Sequence, residues 1–129
     1  RTTMKGDDIA SRLLAFADGS VRLARSLPED AAGKHVARQL IRAATAGGAN
    51  YEEARAAESR ADFAHKVSIA AKEVRESVYW LRLIERAEMA STEILRGLIS
   101  EGNELIAILT SSAKTAKDGA KWTRAAERS

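Results

Sequence analysis

Apolar residues recur along this chain with the period of an α-helix, in four segments separated by short breaks. In the first, from Asp8 to Leu27, the residues Ile9, Leu13, Phe16, Leu23, Ala24 and Leu27 fall on one side at about 100° per residue. Asp7 and Asp8 are the predicted caps, since acids suit a helix N-terminus. Leu27-Pro28-Glu29-Asp30 ends the segment, because a residue before proline is pushed out of the α region. The second segment runs from Asp30 or Ala31 to Ala57, with Val36, Leu40, Ala44, Tyr51 and Ala54 as its stripe. Gly47-Gly48 interrupts its middle and predicts a close helix approach or a mild kink; there is no preceding strand and no following Lys-Ser/Thr to make it a phosphate loop.

The third segment runs from Asp62, the predicted N-cap, to Arg86. Phe63, Val67, Ala70, Val74, Val78 and Leu81 form one tight stripe. Ile69, Trp80, Leu83 and Ile84 form a second set roughly 100° further round. A helix packed in one bundle needs a single stripe, so this second set is the candidate oligomer interface. The fourth segment runs from Ser91 or Thr92 to Ser112, with Ile94, Leu95, Leu98, Ile99, Leu105, Ile106 and Leu109 in a broad stripe. Four such helices with short connections predict an all-α, antiparallel up-down-up-down four-helix bundle over residues 8–112. Residues 1–7 are expected to be disordered or added, with Met4 as the natural start, and 113–129 to be a basic, frayed tail.

Composition narrows the function classes. The chain has 129 residues and no cysteine, which excludes disulfides and Cys-ligated zinc and suits a cytoplasmic protein. No run is apolar enough to span a bilayer and no secretory leader is visible. The net charge of +3 invites a polyanion reading, yet residues 1–113 carry 16 Lys/Arg and 16 Asp/Glu. The excess sits in Lys114, Lys117, Lys121, Arg124 and Arg128 against Asp118 and Glu127.

Catalytic constellations are sparse. Two histidines, His35 and His65, and no Glu-x-x-His leave no di-iron set, so neither metal nor cofactor is expected. Arg60 and His65 match the Arg-x4-His spacing of small helical RNA-cleaving domains, where Arg would hold a phosphate and His move a proton. Glu52, Glu76 and Glu104 read as solvated positions. Glu73 lies between the two apolar faces of the third helix, and Gln39 and Asn50 flank the stripe of the second. A buried charge needs a partner, so these three form a candidate structural polar network, with Glu73 bonded to an arginine, Asn50 or Tyr51. Lys34, Arg38 and Arg42 recur at i, i+4, i+8 beside His35 as the candidate nucleic-acid contact.

Several motifs taken together carry a resemblance: Gln39-Leu40-x-Arg42-Ala43-Ala44, Ala49-Asn50-Tyr51-Glu52-Glu53-Ala54, Asp62-Phe63-x-x-Lys66, and Ile69-Ala70-x-Lys72-Glu73-x-x-Glu76-x-x-Tyr79-Trp80-Leu81. With Phe16…Leu27-Pro28 and Glu101-x-x-Glu104-Leu105-x-x-Ile108, they resemble the 23S rRNA intervening-sequence protein family, small bacterial four-helix-bundle proteins, over Ile9 to Leu109. Gly47-Gly48 departs from the Ser-rich stretch expected there. The resemblance implies a homopentameric ring without established activity. A related group, the accessory variability determinant of diversity-generating retroelements, works with a reverse transcriptase and nucleic acid. The expected role is a non-enzymatic oligomeric scaffold or adaptor whose partners are itself and RNA, DNA or a nucleic-acid-processing protein. The alternatives are RNA or DNA binding on a basic ring surface and the Arg60/His65 ribonuclease.

Overall fold

In the computed structural model, which describes residues 5–119, the four predicted segments are helices: α1 Gly6–Arg25, α2 Ala31–Arg55, α3 Arg60–Arg86 and α4 Thr92–Lys117. Their ends show which local signals govern. Asp30 caps α2, its carboxylate accepting from the Gly33 N–H at 2.8 Å. The N-cap of α3 is Ser59 rather than Asp62: the Ser59 hydroxyl accepts from the Asp62 N–H at 3.1 Å, and Asp62 serves in the first turn. At α1 the capping position is Lys5, without a side-chain bond, so Asp7 and Asp8 lie inside the first turn, where they face the helix dipole. Leu27 lies beyond the end of α1 yet remains in the core.

Helix α4 continues to Lys117, past the end expected at Ser112, because Ala113 and Ala116 extend its buried face. The opening part of the expected tail is therefore packed helix. Residues 1–4 and 120–129 lie outside the described residues.

Cross-helix neighbours fix the direction of each pair. Arg42 of α2 meets Glu73 and Glu76 of α3, while the earlier His35 meets the later Trp80. Glu85 reaches Arg96 at the α3–α4 turn, and Val78 faces Gly102 further away from it. Leu13 faces Gly48, and Asp7 pairs with Arg55. All neighbours thus run antiparallel, in the ring order α1, α2, α3, α4, with the diagonal pairs α1–α3 and α2–α4 further apart than the adjacent ones. The side between α1 and α4 is the thinnest. It is held by Arg12, whose Nε and Nη2 donate to Glu101 at 2.8 and 2.7 Å and whose Nη2 also bonds Glu104. Hydrogen bonding to Glu101 first, then to Glu104, raises the Arg12 pKa further above its ordinary value, so this fork keeps its charge.

Glycine sets the closest approaches. Helix α2 runs unbroken through Gly47-Gly48, and a Cβ on Gly47 would stand 2.8 Å from Val74 Cγ2 of α3. A Cβ on Gly102 of α4 would stand 2.6 Å from Val78 Cγ2 and 3.2 Å from the Phe16 ring. Both neighbours of Gly102 are stiff side chains packed in place, whereas Gly97 on the same helix has open space around it. Gly102→Ala is expected to lower the unfolding free energy by about 1–2 kcal/mol through overpacking. Gly97→Ala is expected to raise it by about 0.5–1 kcal/mol through helix propensity. Urea denaturation midpoints check the opposite signs.

Candidate interaction surface

The seam where α2 lies against α3 brings together Gln39, Arg42, Glu73, Glu76 and Trp80, all singled out by the sequence. Arg42 is its hub. Its Nε donates to Gln39 Oε1 at 3.2 Å, its Nη1 to Glu73 at 3.5 Å, and its Nη2 bonds Glu76. Arg42 thus links Gln39 and Glu73, two of the three residues of the expected network. Asn50 is not part of it: its side-chain amide donates to the Ala46 carbonyl of its own helix at 2.9 Å. Glu76, expected to be solvated, is engaged twice, since Trp80 Nε1 also donates to it at 3.1 Å. Glu104, likewise expected to be solvated, is bound to Arg12.

These bonds divide the candidate nucleic-acid strip. Lys34 and Arg38 are exposed and make no ion pair among the described residues, but the charge of Arg42 is directed onto Glu73 and Glu76. The candidate oligomer interface is also reduced. Ile69, Trp80 and Leu83 are half-buried, whereas Ile84 is 0% exposed and belongs to the core. The 87–91 turn folds back over the end of α3, Met89 N–H donating to the Ile84 carbonyl at 3.0 Å. Trp80 meets His35 and Tyr79 edge-on, with ring centroids 5.8 and 5.1 Å apart. Arg60 and His65 are both exposed and lie about 140° apart around α3. No three His, Asp or Glu side chains gather into a metal-binding group among the described residues.

A feature absent from the sequence reading is an apolar groove of about 450 Å³ between α1 and α2, lined by Ala10, Leu13, Leu14, Ala17, Gly48 and Ala49 among others. Leu14 on its rim is 72% exposed. Ile41 lies one turn before Thr45 of the same groove and is also exposed. On α4, Ile94 is 55% exposed. The available signal was Leu14 itself, a leucine about 100° away from Leu13 and off the stripe that Ile9, Leu13, Phe16 and Leu23 form.

A family model described as 23S rRNA-intervening sequence protein matches residues 8–111. The chain is also similar to a solved protein of unknown function from the S23 ribosomal protein family of Bacteroides thetaiotaomicron, with 36% identity and a TM-score of 0.79 over 87% of this chain and 100% of that one. No curated protein matches it. No described helix is long and apolar enough to cross a membrane.

The hub role of Arg42 has a measurable cost. Arg42→Ala is expected to lower stability by about 0.5–1 kcal/mol at low salt and by less at high salt, because its partners are partly exposed. Arg38→Ala is expected to change it by under about 0.5 kcal/mol. Paired chemical denaturations at low and high salt check both.

Proposed function

The chain belongs to the 23S rRNA-intervening sequence protein family, and from that premise we propose that it is a non-enzymatic, cytoplasmic, homo-oligomeric four-helix-bundle module, a scaffold or adaptor that assembles as a pentameric ring. One observation carries the self-association: a single chain leaves apolar surface uncovered at two unlike places, the groove beside Leu14 and the knob at Ile94. Removing apolar area from water is the main driving force of association. Two unlike patches on one chain fit a head-to-tail contact, in which the knob of one copy enters the groove of the next, and such contacts close into rings when the rotation permits. The half-buried Ile69, Trp80 and Leu83 add apolar area beside the α2–α3 seam.

A ring of small bundles suits a scaffold for a nucleic-acid-processing protein or for RNA. Nucleic-acid contact through Lys34, Arg38 and Arg42 is weakened by the engagement of Arg42, which leaves two free cations on that strip.

Sedimentation at tens of micromolar is expected to show a species of several subunits. Leu14→Asp and Ile94→Asp should each dissociate it while leaving the far-ultraviolet helical signal unchanged, since both side chains are exposed. A monomeric wild-type chain would sink the assembly. Labelled RNA should remain intact on incubation; cleavage that disappears in His65→Ala would overturn the non-enzymatic reading.

A further inference from the structure

The outward edge of α3 is sorted by charge. Lys72, Arg75, Tyr79, Arg82 and Arg86 follow one another at i, i+3, i+7, i+10 and i+14, a spacing that holds them within about 80° of arc along roughly 21 Å of helix. All five are exposed, Tyr79 at 59%. No ion pair engages any of the four cations among the described residues. The acids of α3 are all turned elsewhere and bonded. Glu73 and Glu76 go to Arg42 of α2, Asp62 goes to Lys66, and Glu85 goes to Arg96 of α4. The adjoining edge of α4 continues from Arg96 through Asn103, Ala107 and Thr110 at helical spacing and adds no acid. A chain body with balanced charge therefore presents one face of free cations around a single aromatic ring.

We propose that this ridge binds single-stranded nucleic acid, with Lys72, Arg75, Arg82 and Arg86 on phosphates along one strand and Tyr79 stacked on a base. The cations are separated by steps of about 5 Å or two such steps along the axis, a path that a flexible strand can follow. A tyrosine ring set between cations stacks on an unpaired base, whereas the bases of a duplex are already stacked on one another. An anionic bilayer is the poorer fit, because a helix lying on a membrane buries a row of apolar residues and this ridge offers Tyr79 alone. The surface belongs to one chain, so the inference holds for a monomer and for a ring.

The test is fluorescence anisotropy of the full chain with a labelled oligouridylate of about 15 nucleotides, run beside a hairpin duplex, anionic phospholipid vesicles and polyglutamate. The single strand should bind, with log K falling against log salt at a slope near −3, as about four neutralised phosphates require. Arg75→Glu combined with Arg82→Glu should weaken it about tenfold or more. Tyr79→Ala should weaken it about fivefold or more, with little effect on the hairpin. Lys34→Glu combined with Arg38→Glu should leave it within about twofold. Every substituted residue is exposed, and unchanged helical signal and sedimentation of the variants separate loss of binding from loss of fold or assembly. The proposal is overturned if the wild type fails to bind, if the α3 charge reversal or Tyr79→Ala changes nothing, or if vesicles or polyglutamate bind as tightly as the single strand.

Discussion

The close approach of α3 to both of its neighbours organises this bundle. Gly47 of α2 lets Val74 reach the backbone on one flank, and Gly102 of α4 admits Val78 on the other. With a helix pressed on each side, the buried arc of α3 widens from the stripe Phe63–Val67–Val74–Leu81 to take in Ile84. Interiors packed at crystal-like density have little slack, so one methyl group at either contact would have to displace a branched side chain.

The same flanking sorts the charges. An acid at the edge of α3 lies within reach of the next helix, so Glu73 and Glu76 converge on Arg42 and Glu85 finds Arg96. The bases on the outward arc have no such neighbour. Lys72, Arg75, Arg82 and Arg86 are thereby left to solvent, although acids and bases alternate along α3 in the sequence. Residues 1–113 are neutral by count and polarised by arrangement.

Helix α1 is held differently. It leans on α2 and touches α4 lightly, where the fork of Arg12 onto Glu101 and Glu104 takes the place of broad apolar contact. A polar clasp of this kind fixes position without covering much surface. On its other flank, against α2, α1 leaves the groove beside Leu14 uncovered, and this is the apolar area on which the proposed self-association draws.

The four helices, the Pro28 break and, as one of two readings, the close approach at Gly47 were legible in the sequence, because each depends on periodicity or on a residue's own backbone chemistry. The family too was legible, from Asn50-Tyr51-Glu52-Glu53-Ala54 and Tyr79-Trp80-Leu81 taken in order. The site was legible only in part. Glu73 was marked as needing a partner, but Arg42 was read as a free cation and Asn50 as a member of the network. Ile84 was read as surface, and the α4 helix past Ser112 as tail. Periodicity says which residues share a face of one helix. Which neighbour covers each edge of that face, and which charges meet across it, is set by the mutual rotation of packed helices, and only the tertiary structure decides that.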